Sequence, residues 1–359
     1  MQIEKKLLFA DYMRVIATLA VILLHAAGDL LYEFDKTDLF NSRWWTGNVI
    51  DSCVRWCVPV FVMLSGSLLL NPHKEESIGD FLKKRMLRVL VPFLFWSVVY
   101  ITYTYRGNIR DFKMPWWPEV FELFFFKDVY FHLWFVPMIL GLYFLTPTFR
   151  VFLKSAKKVD IEYFLMFWFW VSVIQVSFNQ FFVIKYIGWL AYVGYLLMGY
   201  YLKTYDFANK KLLYTAGWLS LAATIFGTWY LSVFFGRFDN NEQIFYQYLH
   251  PNVIFMGCAL FLYIKDFDWN TVALRFPRFH AFIQWFSGLS FGVYLIHALL
   301  LDVFKNGYLF DLTINSTTFF SVKGHPIWCV PFYFCWVTTL SILIVWMLLK
   351  IPVIKKWVN

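Results

Sequence analysis

The side chains able to do chemistry in this sequence lie inside long apolar runs. The first run carries Asp11, Arg14 and His25. Eleven residues of α-helix turn through about 1,100°, three turns plus about 20°, so Arg14 and His25 share one face about 16 Å apart along the axis. Asp11 stands one turn before Arg14, at a spacing that permits an ion pair. An ionisable group in an apolar spanning helix is costly and marks a functional site by default. An imidazole, with an ordinary pKa near 6.5, can take or give a proton near neutral pH. The plainer alternative is an arginine that snorkels to the surface and a histidine satisfied within the core.

Further stations follow along the chain. Arg55 opens an apolar stretch that runs through Pro59 to Gly66. Lys84, Arg85 and Arg88 precede Pro92, a cluster that plain positive-inside topology also produces. His132 and Trp134 start another run, at its outer interface, where tryptophan is common for purely interfacial reasons. Ser290 to His297 places a second histidine near the middle of a late run. The aromatic segment with Trp116, Trp117 and Phe124 to Phe126 reads as interfacial or as a shelter for a sugar. His73, His250, His280 and His325 fall in loops or near run ends and receive no role. The cysteine pairs Cys53/Cys57 and Cys329/Cys335 fit neither a zinc pattern nor a disulfide framework, and no metal site is indicated. There is no glycine-rich phosphate loop, no Gly-x-Ser-x-Gly elbow and no His-Glu-x-x-His.

The elements that must position these residues follow from composition. Of 359 residues, 60% are hydrophobic and 15% charged, with 43 Phe and 18 Trp. Soluble domains run at about 45–50% apolar and about 25% charged. About ten runs are long enough to cross a bilayer, near 8–31, 49–70, 86–104, 132–149, 161–180, 182–202, 212–235, 248–265, 284–304 and 328–350. No strand-period alternation competes, so the expected fold is an all-α integral membrane protein with a single polytopic domain over 1–359 and no extra soluble domain. Lys and Arg crowd alternate loops: Lys5 and Lys6, Lys74 to Arg88, Arg150 to Lys158, Lys203 to Lys211, Lys265 to Arg278 and Lys350 to Lys356. This bias places both termini in the cytoplasm. It also accounts for the net charge of +9 without a nucleic-acid partner. Lys5 and Lys6 before an apolar run imitate a signal peptide, but Asp11, Arg14 and the length of the run mark an uncleaved first span.

Five segments together carry a resemblance. Arg14 to His25, Arg55 to Gly66, Lys84-Arg85 to Pro92, His132-Leu-Trp-Phe-Val-Pro137 and Tyr294-Leu-Ile-His297 occur in the order found in the acyltransferase-3 family, and the likeness spans nearly the whole chain. It is nearest to the branch that O-acetylates surface polysaccharides. The resemblance implies a bacterial cytoplasmic membrane and transfer of an acyl group, most often acetyl from acetyl-coenzyme A, to a hydroxyl of an envelope glycan or lipid-linked sugar. It implies His25 as general base, with Arg14 and Asp11 in the catalytic set. Arg14, Lys84, Arg85 and Arg88 are expected to hold the donor, and Arg55, His132, Trp134 and His297 the acceptor. Two rivals remain at this stage: a transporter or flippase for a glycolipid or small anion, and a receptor or assembly factor that leaves the Asp11, Arg14 and His25 stripe without a task. The oligomeric state is not legible.

Overall fold

The structure is a computed structural model that describes residues 8–111, 117–125, 128–177, 188–207, 209–235 and 242–358. Most of them are helical: α1 (Leu8–Ala27), α2 (Ser42–Val54), α3 (Cys57–Leu69), α4 (Ile78–Thr104), the short α5 (Arg106–Arg110) and α6 (Trp117–Phe125), α7 (Phe135–Ser155), α8 (Lys158–Ser177), α9 (Val193–Thr204), α10 (Lys210–Phe235), α11 (Pro251–Asp266), α12 (Trp269–Arg275), α13 (Pro277–Lys305), α14 (Pro326–Leu348) and the terminal α15 (Lys355–Val358). The one strand pair among the described residues is a two-residue hairpin, Thr318–Phe319 with Val322–Lys323.

Among the described residues, eight segments are long and apolar enough to cross a membrane. They cover eight of the ten expected runs. The other two correspond to α8 and α9, whose join at 178–187 lies outside the described residues. Lys5, Lys6, Trp116 and Phe126 also lie outside them. Many large apolar side chains face outward, among them Trp218 at 73%, Leu219 at 66%, Phe167 at 61% and Trp170 at 58% exposure. In water, patches of that extent mark a surface that binds something apolar, and hydrocarbon meets that requirement along a whole bundle.

Local chemistry sets the breaks. The run expected over 49–70 is one segment with a joint: α2 stops at Val54 and α3 starts at Cys57. Pro59 has no N–H for the Arg55 carbonyl, and its ring crowds that carbonyl, so the helix parts there. Asn41 caps α2 by accepting from the Arg43 and Trp44 amides at 2.9 and 3.4 Å. Ser77 caps α4 by accepting from the Asp80 amide at 3.1 Å.

α1 is the central helix and packs against α2, α3, α11, α13 and α14. Ala17, Ala20, Ala26 and Ala27 on it are buried, and small side chains let neighbouring backbones approach closely in a membrane. α3 and α9 approach closer still. A Cβ on Gly66 would sit 1.7 Å from the Leu196 carbonyl oxygen, and one on Gly199 would sit 1.8 Å from that of Met63. Together, α1, α3, α4, α7 and α13 surround the groups singled out in the sequence.

Candidate functional site

The site has a basic end and a histidine end. At the basic end the guanidinium of Arg14 donates to Asp11 at 3.3 Å and to the Ser287 hydroxyl at 2.6 Å. Ser287 in turn donates to Asp11 at 2.7 Å. This closed triangle ties α1 to α13 and fixes the direction of the guanidinium. The Asp11 to Arg14 pair expected from spacing is present; Ser287 was missed, since a lone serine in an apolar run carries no sequence signal.

The triangle lines a cavity of about 460 Å³ between α1, α3, α4, α7 and α13. Arg85 and Arg88 line it too, so three guanidinium groups face one carboxylate, Asp11, among its described lining residues. Arg85 Nε is buried without a hydrogen-bond partner among the described residues. A buried donor without a partner is costly, and an anionic oxygen is the chemistry that would satisfy it. The donor set therefore fits a phosphate-bearing ligand. Lys84, expected in the same group, is exposed and is not among the lining residues.

At the other end three imidazoles converge. The His25 and His297 rings stack with centroids 5.4 Å apart at 24°, and His132 meets His297 edge-on at 5.0 Å. His132, expected at the outer interface, directly precedes α7 and is packed inside the bundle. His132 is 1% exposed, because the turn before α7 folds inward against α13. His297 is fully buried. Its Nδ1 lies 2.5 Å from the Tyr294 carbonyl, and His132 Nε2 lies 3.3 Å from the Leu295 carbonyl. A carbonyl only accepts, so these nitrogens carry the protons, and His297 Nε2 and His132 Nδ1 hold free lone pairs. Both of those atoms are buried without a partner among the described residues. His25 is half-buried and stands edge-on to Phe131 at 4.9 Å.

Two tyrosines hold this end in shape. The Tyr294 hydroxyl donates to the His132 carbonyl. The Tyr100 hydroxyl donates to Leu295 O at 2.8 Å and accepts from the Leu299 amide at 3.0 Å, bracing the turn that carries His297.

Arg55 sits at the α2–α3 joint rather than within a continuous helix. Its Nε donates to Asp51 at 2.7 Å, and its guanidinium lies over the rings of Tyr246 and Tyr248 at 4.5 and 5.6 Å. Asp51 was readable four residues before Arg55 and was overlooked. Trp134 stacks near Tyr248 at 5.8 Å, so it joins the aromatic surroundings of Arg55 and is not an isolated interfacial ring.

Among the described residues no group of three His, Cys, Asp or Glu is arranged to hold a metal. All five cysteines are free.

Searches of curated proteins and of solved structures give no match. The acyltransferase-3 family model, described as an acyltransferase domain, matches residues 7–346. With that match running from the start of α1 almost to the end of α14, the chain belongs to the acyltransferase-3 family of membrane acyltransferases.

Proposed function

We propose that this protein transfers acetyl from acetyl-coenzyme A to a hydroxyl of a cell-envelope glycan or lipid-linked sugar, with His25 as the general base. The observation that carries the reading is the order of groups along one axis. Arg14, Arg85 and Arg88 sit at one end of a cavity, and the His25, His132 and His297 cluster lies just past the other. A thioester donor with a phosphate-rich head and a long thin arm matches that order. In this reading the protein is a multi-pass protein of a bacterial inner membrane with ten spans, both termini cytoplasmic and lipid around its outward apolar faces. The basic end then opens to the cytoplasm, where the donor is made.

Arg14, held by Asp11 and Ser287, binds donor phosphate together with Arg85 and Arg88. Lys84 adds long-range attraction at the mouth. His25 takes the proton of the acceptor hydroxyl as its oxygen bonds to the thioester carbonyl carbon. The carbon–sulfur bond breaks, the sulfur leaves as thiolate, and His25 returns the proton to it. The acceptor is held at the histidine end: the lone pairs of His297 Nε2 and His132 Nδ1 accept from sugar hydroxyls, while Trp134 offers a ring face.

The test follows release of free coenzyme A by purified protein in detergent, with and without candidate glycans. His25→Ala is expected to lower acceptor-stimulated release by about 10²–10⁴-fold, the usual contribution of a general base. Arg14→Ala is expected mainly to raise the KM for the donor. Full transfer by His25→Ala would remove His25 from the mechanism.

A further inference from the structure

The cavity is closed toward the histidines by aromatic rings. α3, α7 and α13 each contribute lining residues, and on each helix the one nearest the histidine end is aromatic: Phe61, Phe135 and Tyr294. The rings touch in sequence. Phe61 and Phe135 have centroids 5.9 Å apart, and Phe135 and Tyr294 5.6 Å apart. Tyr294 then meets His132 at 5.4 Å and His297 at 5.7 Å. His25, His132 and His297 themselves do not line the cavity. An acyl group that enters from the basic end must therefore sit against these three rings to meet the histidines.

We infer that Phe61, Phe135 and Tyr294 form a collar that sets which acyl group is transferred, accepting short uncharged groups and rejecting longer or carboxylated ones. The inference rests on the reading of the cavity as the donor site. Its grounds are steric and electrostatic. The Tyr294 ring cannot swing freely, because its hydroxyl is bonded to the His132 backbone. Phe135 is wedged between Phe61 and Tyr294, so room for one more methylene requires a ring to move. None of the three side chains is charged, and the arginines that line the cavity stand at its far end. A succinyl carboxylate would thus lose its water at the collar, and the guanidinium of Arg55 beyond it is already paired with Asp51, so the loss is costly. A pocket wall of this kind discriminates by about 10–200-fold per methylene.

The test measures kcat/KM for acetyl-, butyryl- and succinyl-coenzyme A with one acceptor, in the wild type and in Phe135→Ala and Phe61→Ala. The readout is the butyryl-to-acetyl ratio, which cancels any loss of folded protein. The wild type is expected to favour acetyl over both others by at least about tenfold. Each alanine variant is expected to raise the butyryl ratio by about tenfold or more, while succinyl stays poor because the opened space remains uncharged. Equal use of acetyl and butyryl by the wild type, or an unmoved ratio in active variants, would overturn the collar and leave the donor site intact. No turnover of any acyl-coenzyme A by folded wild type would overturn the donor reading and the collar with it.

Discussion

The imidazoles of His25 and His297, carried by the first and the penultimate long helix, stack 5.4 Å apart at 24°. The contact gives His297 a task that its place in the sequence does not reveal. His297 Nδ1 is engaged by the carbonyl of its own helical turn, so its free lone pair is at Nε2, in a buried setting shared with His25. His297→Phe keeps a ring of similar size against His25 and removes the lone pair. Turnover is expected to fall by roughly tenfold or more, with the KM for the donor unchanged, because the basic end is untouched. Steady-state kinetics with the donor varied at saturating acceptor checks this. A raised donor KM with unchanged kcat would assign His297 to the wrong end of the site.

At the basic end the decisive group is Ser287. It accepts from Arg14 and donates to Asp11, so Ser287→Ala removes two bonds of the triangle and leaves the ion pair at 3.3 Å. A bond of this kind contributes about 0.5–1.5 kcal/mol, more where one partner is charged, so the KM for the donor is expected to rise several-fold with little change in kcat. Ser287→Thr restores the hydroxyl and is expected to recover most of the affinity. Comparing donor KM for the two variants separates loss of the hydroxyl from loss of packing.

Much of this site was legible in the sequence, and what was not has physical causes. Helical periodicity put Arg14 and His25 on one face, and α1 has them there. The family resemblance put Lys84, Arg85 and Arg88 beside the donor, and Arg85 and Arg88 line the cavity with Arg14. Lys84 on the same helix turns outward, a difference of one residue that loop-charge reasoning cannot resolve. The burial of His132 was not legible because it is set by a long-range contact with α13, which no local pattern encodes. The joint at Arg55 was written in Pro59 but masked by the apolar run around it. Tyr100 and Tyr294 gave no signal, since a tyrosine in a spanning helix reads as one more aromatic until its hydroxyl is seen to find a carbonyl.

Tyr100 supports a stability prediction. It is fully buried, and its hydroxyl bridges Leu295 O and Leu299 N. Tyr100→Phe keeps the ring stacked on Tyr130 and deletes only the bridge. Removing one partner from buried polar groups costs about 1–3 kcal/mol. A lower thermal unfolding midpoint in detergent is expected, together with reduced turnover, because the braced turn carries His297. An unchanged midpoint would mean that the Leu295 and Leu299 groups are satisfied without Tyr100.

The crossing of α3 and α9 makes the sharpest mutational prediction. Gly66 and Gly199 face each other's helices with no room for a methyl group: an added Cβ would fall 1.7 Å from the Leu196 oxygen and 1.8 Å from the Met63 oxygen. Both obstacles are backbone, so no side-chain rotation relieves them and the helices must separate. Helix association in lipid relies on close packing, because the hydrocarbon solvent supplies no hydrophobic drive between helices. Overpacking of this kind costs about 1–3 kcal/mol and occasionally more. Gly66→Ala and Gly199→Ala are each expected to lower the thermal midpoint and the yield of folded protein. Their effects should combine less than additively, since one separation of the helices relieves both clashes. Gly79→Ala serves as the control. Gly79 lies in the first turn of α4 with nothing within 4 Å of the added Cβ, and there the better helix former is expected to be neutral or slightly stabilising. A Gly66→Ala protein as stable as the Gly79→Ala control would show that α3 and α9 are not in backbone contact, and α3 would lose its support for holding Phe61 at the collar.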